Sequence, residues 1–339
     1  MARVAGAVGA AICMLVTVLV SAAGAAGFQY GAAPNPNGKP IELGIWYPSD
    51  APTSPQALGL FTQDVAPYGE IGGQTTLPLI VISHGTGGGA ASHYDTALAL
   101  ANAGFVVVAL THIGDNYEDH SLAFTPGNFV SRPEQVSHVI DYMLNDWPLH
   151  AHIDPTRIGM FGHSAGGATA LIVLGGNPDF SLAALFCRDH PEAWDCIQVK
   201  AHGDAVATPA AATASVPKEL HHDPRVRAAA IAAPAIGYTF TKAGLAAVTE
   251  PIQLWQAEND VIAANQWNSD VIKAALPRPP EDHLMAGAGH FSFLAPCSES
   301  LDKIAPDICR DAPGFDRVAF HRQLNQALID FFRAKLPAP

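Results

Sequence analysis

Charge is what this chain has least of. Asp, Glu, Lys and Arg make up only 14% of its 339 residues, against 49% hydrophobic. So little charge beside so much apolar material excludes a disordered chain and allows one large core. The charge that exists is unbalanced, 18 basic against 31 acidic residues for a net −13, and no Lys/Arg cluster occurs. Nucleic acid and anionic membrane surfaces are thereby excluded as partners, and strongly anionic substrates are disfavoured. Cysteine is also scarce, five in all, and no two have the C-x2-C spacing that zinc sites usually use. The 15 histidines never fall at the His-x3-His spacing of a hydrolytic zinc helix. The histidines of the clusters His221-His222-Asp223 and His150-Ala151-His152 therefore read as solvated surface groups, and neither metal nor cofactor is expected. No internal repeat is present.

The first residues read as an export signal. Arg3 precedes an uncharged run from Val4 to Val20, followed by small residues through Gly27 that include the A-x-A site Ala23-Gly24-Ala25. This pattern predicts a leader over 1–27 and a mature domain over 28–339. The run is short of the roughly 20 apolar residues of a membrane span, so no stable membrane insertion is expected after its removal. Cys187, Cys196, Cys297 and Cys309 remain in an oxidising compartment, where sequence proximity favours Cys187 with Cys196 and Cys297 with Cys309.

The chemistry-bearing motif lies mid-chain. Ile158-Gly159-Met160-Phe161-Gly162-His163-Ser164-Ala165-Gly166-Gly167 is an apolar run, a G-x-S-x-G sequence centred on Ser164, and the start of a small-residue helix. A tight strand-to-helix turn of this kind pushes a serine Oγ out of the sheet, which a weak nucleophile needs. A Cβ at Gly162 or Gly166 would collide with the neighbouring strand or helix. The partners of such a serine follow in the order acid, then histidine, on loops after later strands. Pro251–Ala257 reads as a strand ending in Glu258-Asn259-Asp260, and His283–Met285 as one followed by Ala286-Gly287-Ala288-Gly289-His290. His290 is the expected base and Asp260 the expected acid, with Glu258 as rival. Stabilising an oxyanion takes two backbone N–H groups. Ala165 supplies one by position, and Thr86, in the glycine-rich His84-Gly85-Thr86-Gly87-Gly88-Gly89 after an apolar strand, is the expected second donor. His84 and His163 are read as shaping these loops. His112, just past a predicted strand, either touches substrate or is a hydrogen-bonded structural histidine.

The segments His84-Gly85-Thr86-Gly87-Gly88, Asp154-Pro155-Thr156-Arg157-Ile158-Gly159, Gly162-His163-Ser164-Ala165-Gly166-Gly167 and Gly287-Ala288-Gly289-His290-Phe291 resemble those of α/β-hydrolases. More narrowly, they resemble the bacterial predicted dienelactone hydrolases, a group similar to platelet-activating-factor acetylhydrolases, over roughly residues 41–336. The resemblance implies an α/β-hydrolase fold, a mainly parallel central sheet with helices on both faces. It also implies cofactor-free cleavage of esters or lactones, so a small-molecule or lipid ester is the expected partner. Two departures stand out. True dienelactone hydrolases carry a cysteine where this chain has Ser164. The acetylhydrolases take their acid after an earlier strand, and the matching stretch here, Ala228 to Thr241, contains no Asp or Glu.

Strands and helices alternate along the rest. An early antiparallel strand is expected at Ile41–Tyr47, then a loop rich in Pro, Gly and Ser to about Thr76. Further strands are expected at Leu79–Ser83, Phe105–Thr111, Arg157–Phe161, Ala228–Ala233, Ile252–Ala257 and His283–Met285. Helices are expected at Tyr94–Ala103, Pro133–Asn145, Ala165–Leu174, Asn265–Ala275 and Phe315–Ala334. The last shows an apolar stripe through Phe320, Leu324 and Leu328. Residues 177–227 fit no alternation and form a candidate lid or pocket wall, or a surface excursion. Phe180, Leu185, Phe186 and Trp194 within it either line a pocket or pack the insertion against the body. Secreted amidase or peptidase chemistry, or binding on an inactive hydrolase scaffold, are the alternatives to an ester-cleaving enzyme.

Overall fold

The computed structural model describes residues 25–36, 38–72, 76–201 and 219–338; most of the expected leader, 1–24, lies outside them. Among the described residues, ten strands form one sheet: β1 Ala25–Ala33, β2 Ile41–Ser49, β3 Ser54–Leu58, β4 Phe61–Pro67, β5 Leu77–Ser83, β6 Val106–Leu110, β7 Ile153–His163, β8 Val226–Ala232, β9 Ile252–Ala257 and β10 Glu281–Met285. Their order is β10-β9-β8-β7-β5-β6-β2-β1-β4-β3. From β10 to β6 every pair is parallel, whereas β2 runs antiparallel to both β6 and β1.

Alternation along the strands explains why helices cover both faces. Leu79 and Val81 of β5 with Val106 and Val108 of β6 face one buried cluster, while Ile80, Ile82, Val107 and Ala109 face the other. A parallel sheet buried on both faces needs such continuous apolar strands. The first face is covered by α2 (Pro126–Asn145) and α3 (Ala165–Val173), the second by α1 (Tyr94–Asn102) and the terminal α9 (Arg317–Lys335). The stripe Phe320, Leu324, Leu328 of α9 is buried in that second cluster.

Several elements differ from expectation. The Pro/Gly/Ser stretch before Thr76 contains the β3–β4 hairpin. Its Pro55 is tolerated because β3 is the outermost strand, where no partner needs the missing N–H. Helix α2 starts at Pro126, capped by Thr125, so Pro133 lies inside it rather than at its start. Strand β1 begins at Ala25, three residues inside the range read as leader. The aromatic ring of Tyr47 fills the space a Cβ at Gly27 would need, so the small residues of the A-x-A region also suit close strand packing. The 177–227 stretch contains α4 (Ser181–Asp189) and α5 (Trp194–Ala201), joined by Cys187–Cys196. Beyond β9 lie α6 (Ser269–Ala275), α7 (Glu299–Ile304) and α8 (Pro306–Cys309), the last two within the loop closed by Cys297–Cys309. Both disulfides join the cysteines that proximity favoured. No helix among the described residues is long and apolar enough to cross a membrane.

Candidate active site

Ser164 occupies the turn between β7 and α3 with φ 54° and ψ −118°, a backbone conformation that non-glycine residues adopt at a cost of order 1–3 kcal/mol. Two glycines make the turn sterically possible. A Cβ on Gly162 would overlap the backbone of Gly166, and one on Gly166 would overlap the backbone of Ser83 at the end of β5. Ser164 N–H donates to Ala232 O (2.9 Å), tying the turn to β8. The Ser164 side chain does not cap α3; it lines a cavity of about 970 Å³ over the carboxyl ends of the strands, where open α/β sheets bind ligands.

His290 also lines this cavity. Its Nδ1 lies 2.8 Å from Asp260 Oδ2. Asp260 is itself fixed, its Oδ1 accepting from the N–H groups of Ile262 (2.9 Å) and Ala263 (2.7 Å). The rival acid points elsewhere: Glu258 is exposed, and its carboxylate accepts from Gly287 N–H at 2.8 Å, bracing the histidine loop from outside. Ser164 Oγ and His290 make no mutual hydrogen bond among the described residues; in unliganded sites such contacts are commonly long and close when substrate arrives.

Thr86 and Ala165 both line the cavity, and no group among the described residues occupies either N–H. Thr86 sits in a turn closed by Gly88 N–H to Gly85 O (3.1 Å), with Gly87 at φ +71°, where glycine is favoured. A buried ion pair holds this loop from below. Arg132 Nη2 meets Asp115 Oδ2 at 2.8 Å with both side chains fully buried, Arg132 Nη1 donates to His84 O (2.7 Å), and Asp115 Oδ1 accepts from Gly87 N–H (3.0 Å). Neither residue stands out in the sequence. The only hint was Asp115 in the loop after a strand, and its partner lies 17 positions away.

Three histidines around the turn are held neutral. Burial, then the Arg132 charge, brings His84 down to about 3, and burial followed by the same charge takes His112 well below its ordinary value. Burial and then His290 do the same to His163. His84 Nδ1 donates to Gly85 O at 2.6 Å and His84 Nε2 accepts from His112 N–H at 3.0 Å. His163 Nε2 donates to His290 O at 3.2 Å. His112, fully buried against Ser83 and Gln135, is absent from the cavity lining, so it is the hydrogen-bonded kind rather than a substrate contact.

The insertion walls one side. Phe180 and Trp194 line the cavity. Phe186 instead stacks on Tyr238 at 3.9 Å, and Leu185 is exposed. Tyr238 Oη donates to Asp195 Oδ2 (3.2 Å). Asp195 faces the cavity, and burial pushes its carboxyl up to about 6 against the opposing effects of that hydrogen bond and of His290. His221 bonds Ser137 (2.8 Å), Asp223 pairs with Arg225, and His150 bonds Trp147 O (2.8 Å); no metal-holding cluster occurs among the described residues.

No protein-family model matches the chain, and no curated protein matches it. Among solved structures it is similar to a Mycobacterium tuberculosis puromycin-hydrolyzing peptidase, with a TM-score of 0.54 and 15% identity over 92% of this chain. It spans 40% of that protein's length. With that likeness, the mainly parallel sheet and the helices on both its faces give the chain the α/β-hydrolase fold.

Proposed function

We propose that this protein is a serine hydrolase of carboxylic esters working through an acyl-enzyme intermediate. The observation that carries the reading is the Asp260–His290 pair opening into the cavity that the strained Ser164 also lines. In this mechanism His290 takes the proton from Ser164 Oγ as that oxygen bonds to the ester carbonyl carbon. The carbonyl oxygen, now negative, accepts from the N–H groups of Thr86 and Ala165. Asp260 holds the proton-bearing Nδ1 and stabilises the imidazolium. His290 then protonates the departing alkoxide, and water, deprotonated by His290, releases the acid and restores Ser164.

Membership of the predicted dienelactone hydrolase group belongs to the same proposal and rests on motif spacing. Export rests on the leader pattern and on the two disulfides. Amide cleavage is the second reading, favoured by the likeness to a peptidase; matched ester and anilide substrates separate the two. The primary test is turnover of p-nitrophenyl esters by the wild type and by Ser164→Ala, with a fluorophosphonate as covalent probe. Loss of at least about a thousandfold in kcat, with phosphonate mass at Ser164 in the wild type, is expected. Undiminished turnover in the variant would overturn the assignment.

A further inference from the structure

From Ser164 the cavity does not stop at the insertion; it runs the other way, across the sheet. Its lining continues past Gly88 and Thr111 to Gly44 on β2, Phe28 on β1 and Phe61 on β4. In the strand order this is five steps from β7, on the order of 24 Å at the usual spacing between strands.

The floor of this arm is aromatic and fixed. Trp46 Nε1 donates to Gln63 Oε1 at 2.8 Å, and Gln63 Nε2 donates in turn to Tyr94 O at 3.0 Å. Phe28 packs on Trp46 with ring centroids 4.9 Å apart, and Gly44 has no side chain where the Trp46 ring lies. The lining also takes in Leu301, Ile304 and Ile308 of α7–α8, inside the Cys297–Cys309 loop. Arg317 holds that segment, with Nη1 donating to Ile308 O at 3.0 Å and Nε pairing with Asp311 at 2.8 Å. Both sets of apolar side chains line the one cavity that Ser164 also lines. Among the described residues Glu42 and Asp195 are the only Asp or Glu in the cavity lining, and no Lys or Arg lines it; Glu42 belongs to this arm.

Resting on the ester-hydrolase reading, we infer that this arm binds a long, uncharged apolar chain of the substrate, and that an ester carrying a carboxylate at the far end of that chain is rejected. A preformed apolar slot gains from each methylene removed from water. A carboxylate there leaves water for an apolar lining and meets the charge of Glu42, an exposed residue of that lining, with no Lys or Arg in it to pair with. The product of a diester of a dicarboxylic acid would be such an anionic monoester, so cleavage would stop at the first ester and a hydrolase with a cationic pocket would be needed for the second.

The test compares methyl decanoate, methyl acetate and monomethyl sebacate, the last presenting a terminal carboxylate on a chain of similar length. Methyl decanoate is expected to exceed each of the others by at least about tenfold in kcat/KM, and Glu42→Lys to narrow its lead over monomethyl sebacate by at least about tenfold. A flat profile from acetate to decanoate, or equal turnover of methyl decanoate and monomethyl sebacate by the wild type, overturns the inference. A binding measurement separates it from the catalytic reading. A long-chain methyl ester brominated at the far end of its chain should quench Trp46 fluorescence in Ser164→Ala that also carries Trp194→Phe, since Trp194 lines the same cavity, and the quenching should disappear when Trp46→Phe is added. Quenching that survives Trp46→Phe counts against the arm; quenching that disappears, in a wild type that turns over no ester, supports the arm and overturns the hydrolase reading.

Discussion

Two His–Asp pairs in this molecule have nearly the same geometry and differ in what lies beyond them. His290 Nδ1 stands 2.8 Å from Asp260, and His321 Nδ1 stands 2.7 Å from Asp95. His321 Nε2 is already committed, 3.0 Å from Ser292 O, so both its ring nitrogens face oxygens that only accept. His290 instead lines the cavity beside Ser164. The elements differ as well: Asp260 and His290 sit in loops after β9 and β10, whereas Asp95 and His321 join helices α1 and α9 across a buried face. A short imidazole–carboxylate contact is thus not itself a catalytic signature. The far nitrogen has to open toward a nucleophile.

The strongest way to break this comparison is to remove the same carboxylate from each pair. Asp260→Asn is expected to lower kcat by about a thousandfold or more, because the amide no longer fixes the tautomer that leaves Nε2 free to accept a proton. Asp95→Asn should leave kcat within about threefold, since its pair touches neither substrate nor Ser164. Steady-state kinetics on the two folded variants reads both. Equal losses would mean that the His321 pair supports turnover, and no loss in Asp260→Asn would remove the acid from the mechanism.

A second difference lies beneath the glycine-rich loop. The loop of Thr86, the proposed oxyanion donor, is pinned by Arg132 and Asp115; nothing comparable serves His321 among the described residues. Arg132→Lys keeps the charge but cannot reach both His84 O and Asp115 with the same planar fork. A drop of about ten- to a hundredfold in kcat with KM little changed is expected, as for a weakened oxyanion donor. A rise in KM alone would instead assign the loop to ground-state binding.

How much of this was legible in sequence follows from which interactions are local. The elements that carry the proposed nucleophile, acid and base were legible because they are local: strand, glycines and Ser164 are contiguous, and Asp260 and His290 follow β9 and β10 within a few residues. Strand β1 was hidden in Ala- and Gly-rich sequence at the end of the leader pattern, and β3 behind Pro55, which only an outermost strand permits. The start of α2 was masked by Pro133, since a proline usually marks a helix's first turn. Arg132–Asp115 and the long arm depend on which strands become neighbours. Nothing in the spacing of Trp46, Gln63 and Leu301 announces that they will meet around one cleft.

The smallest expected effects concern stability, and there the acids of the two regions should have opposite signs. Burial raises the Asp95 carboxyl, but hydrogen bonds from His321 and Asn325 outweigh it and leave its pKa below the ordinary value. Its ionised form therefore stabilises the fold at neutral pH, and that contribution is lost as pH falls through the depressed pKa. Asp95→Asn should cost about 2 kcal/mol at pH 7, a gap that narrows in acid. Asp195 in the cavity wall is pushed up to about 6, so the folded state holds its proton more tightly than the unfolded chain. Its ionisation works against folding, and stability falls as pH rises from the ordinary carboxylate value through about 6. Asp195→Asn should accordingly raise the melting temperature above pH 6, by an amount worth about 1 kcal/mol once partial solvation is allowed for, and give no gain near pH 4. Melting curves of both variants across that range test the contrast. If Asp195→Asn destabilises at every pH, the Tyr238 hydrogen bond outweighs the burial of the charge, and Asp195 would then be structurally akin to Asp95.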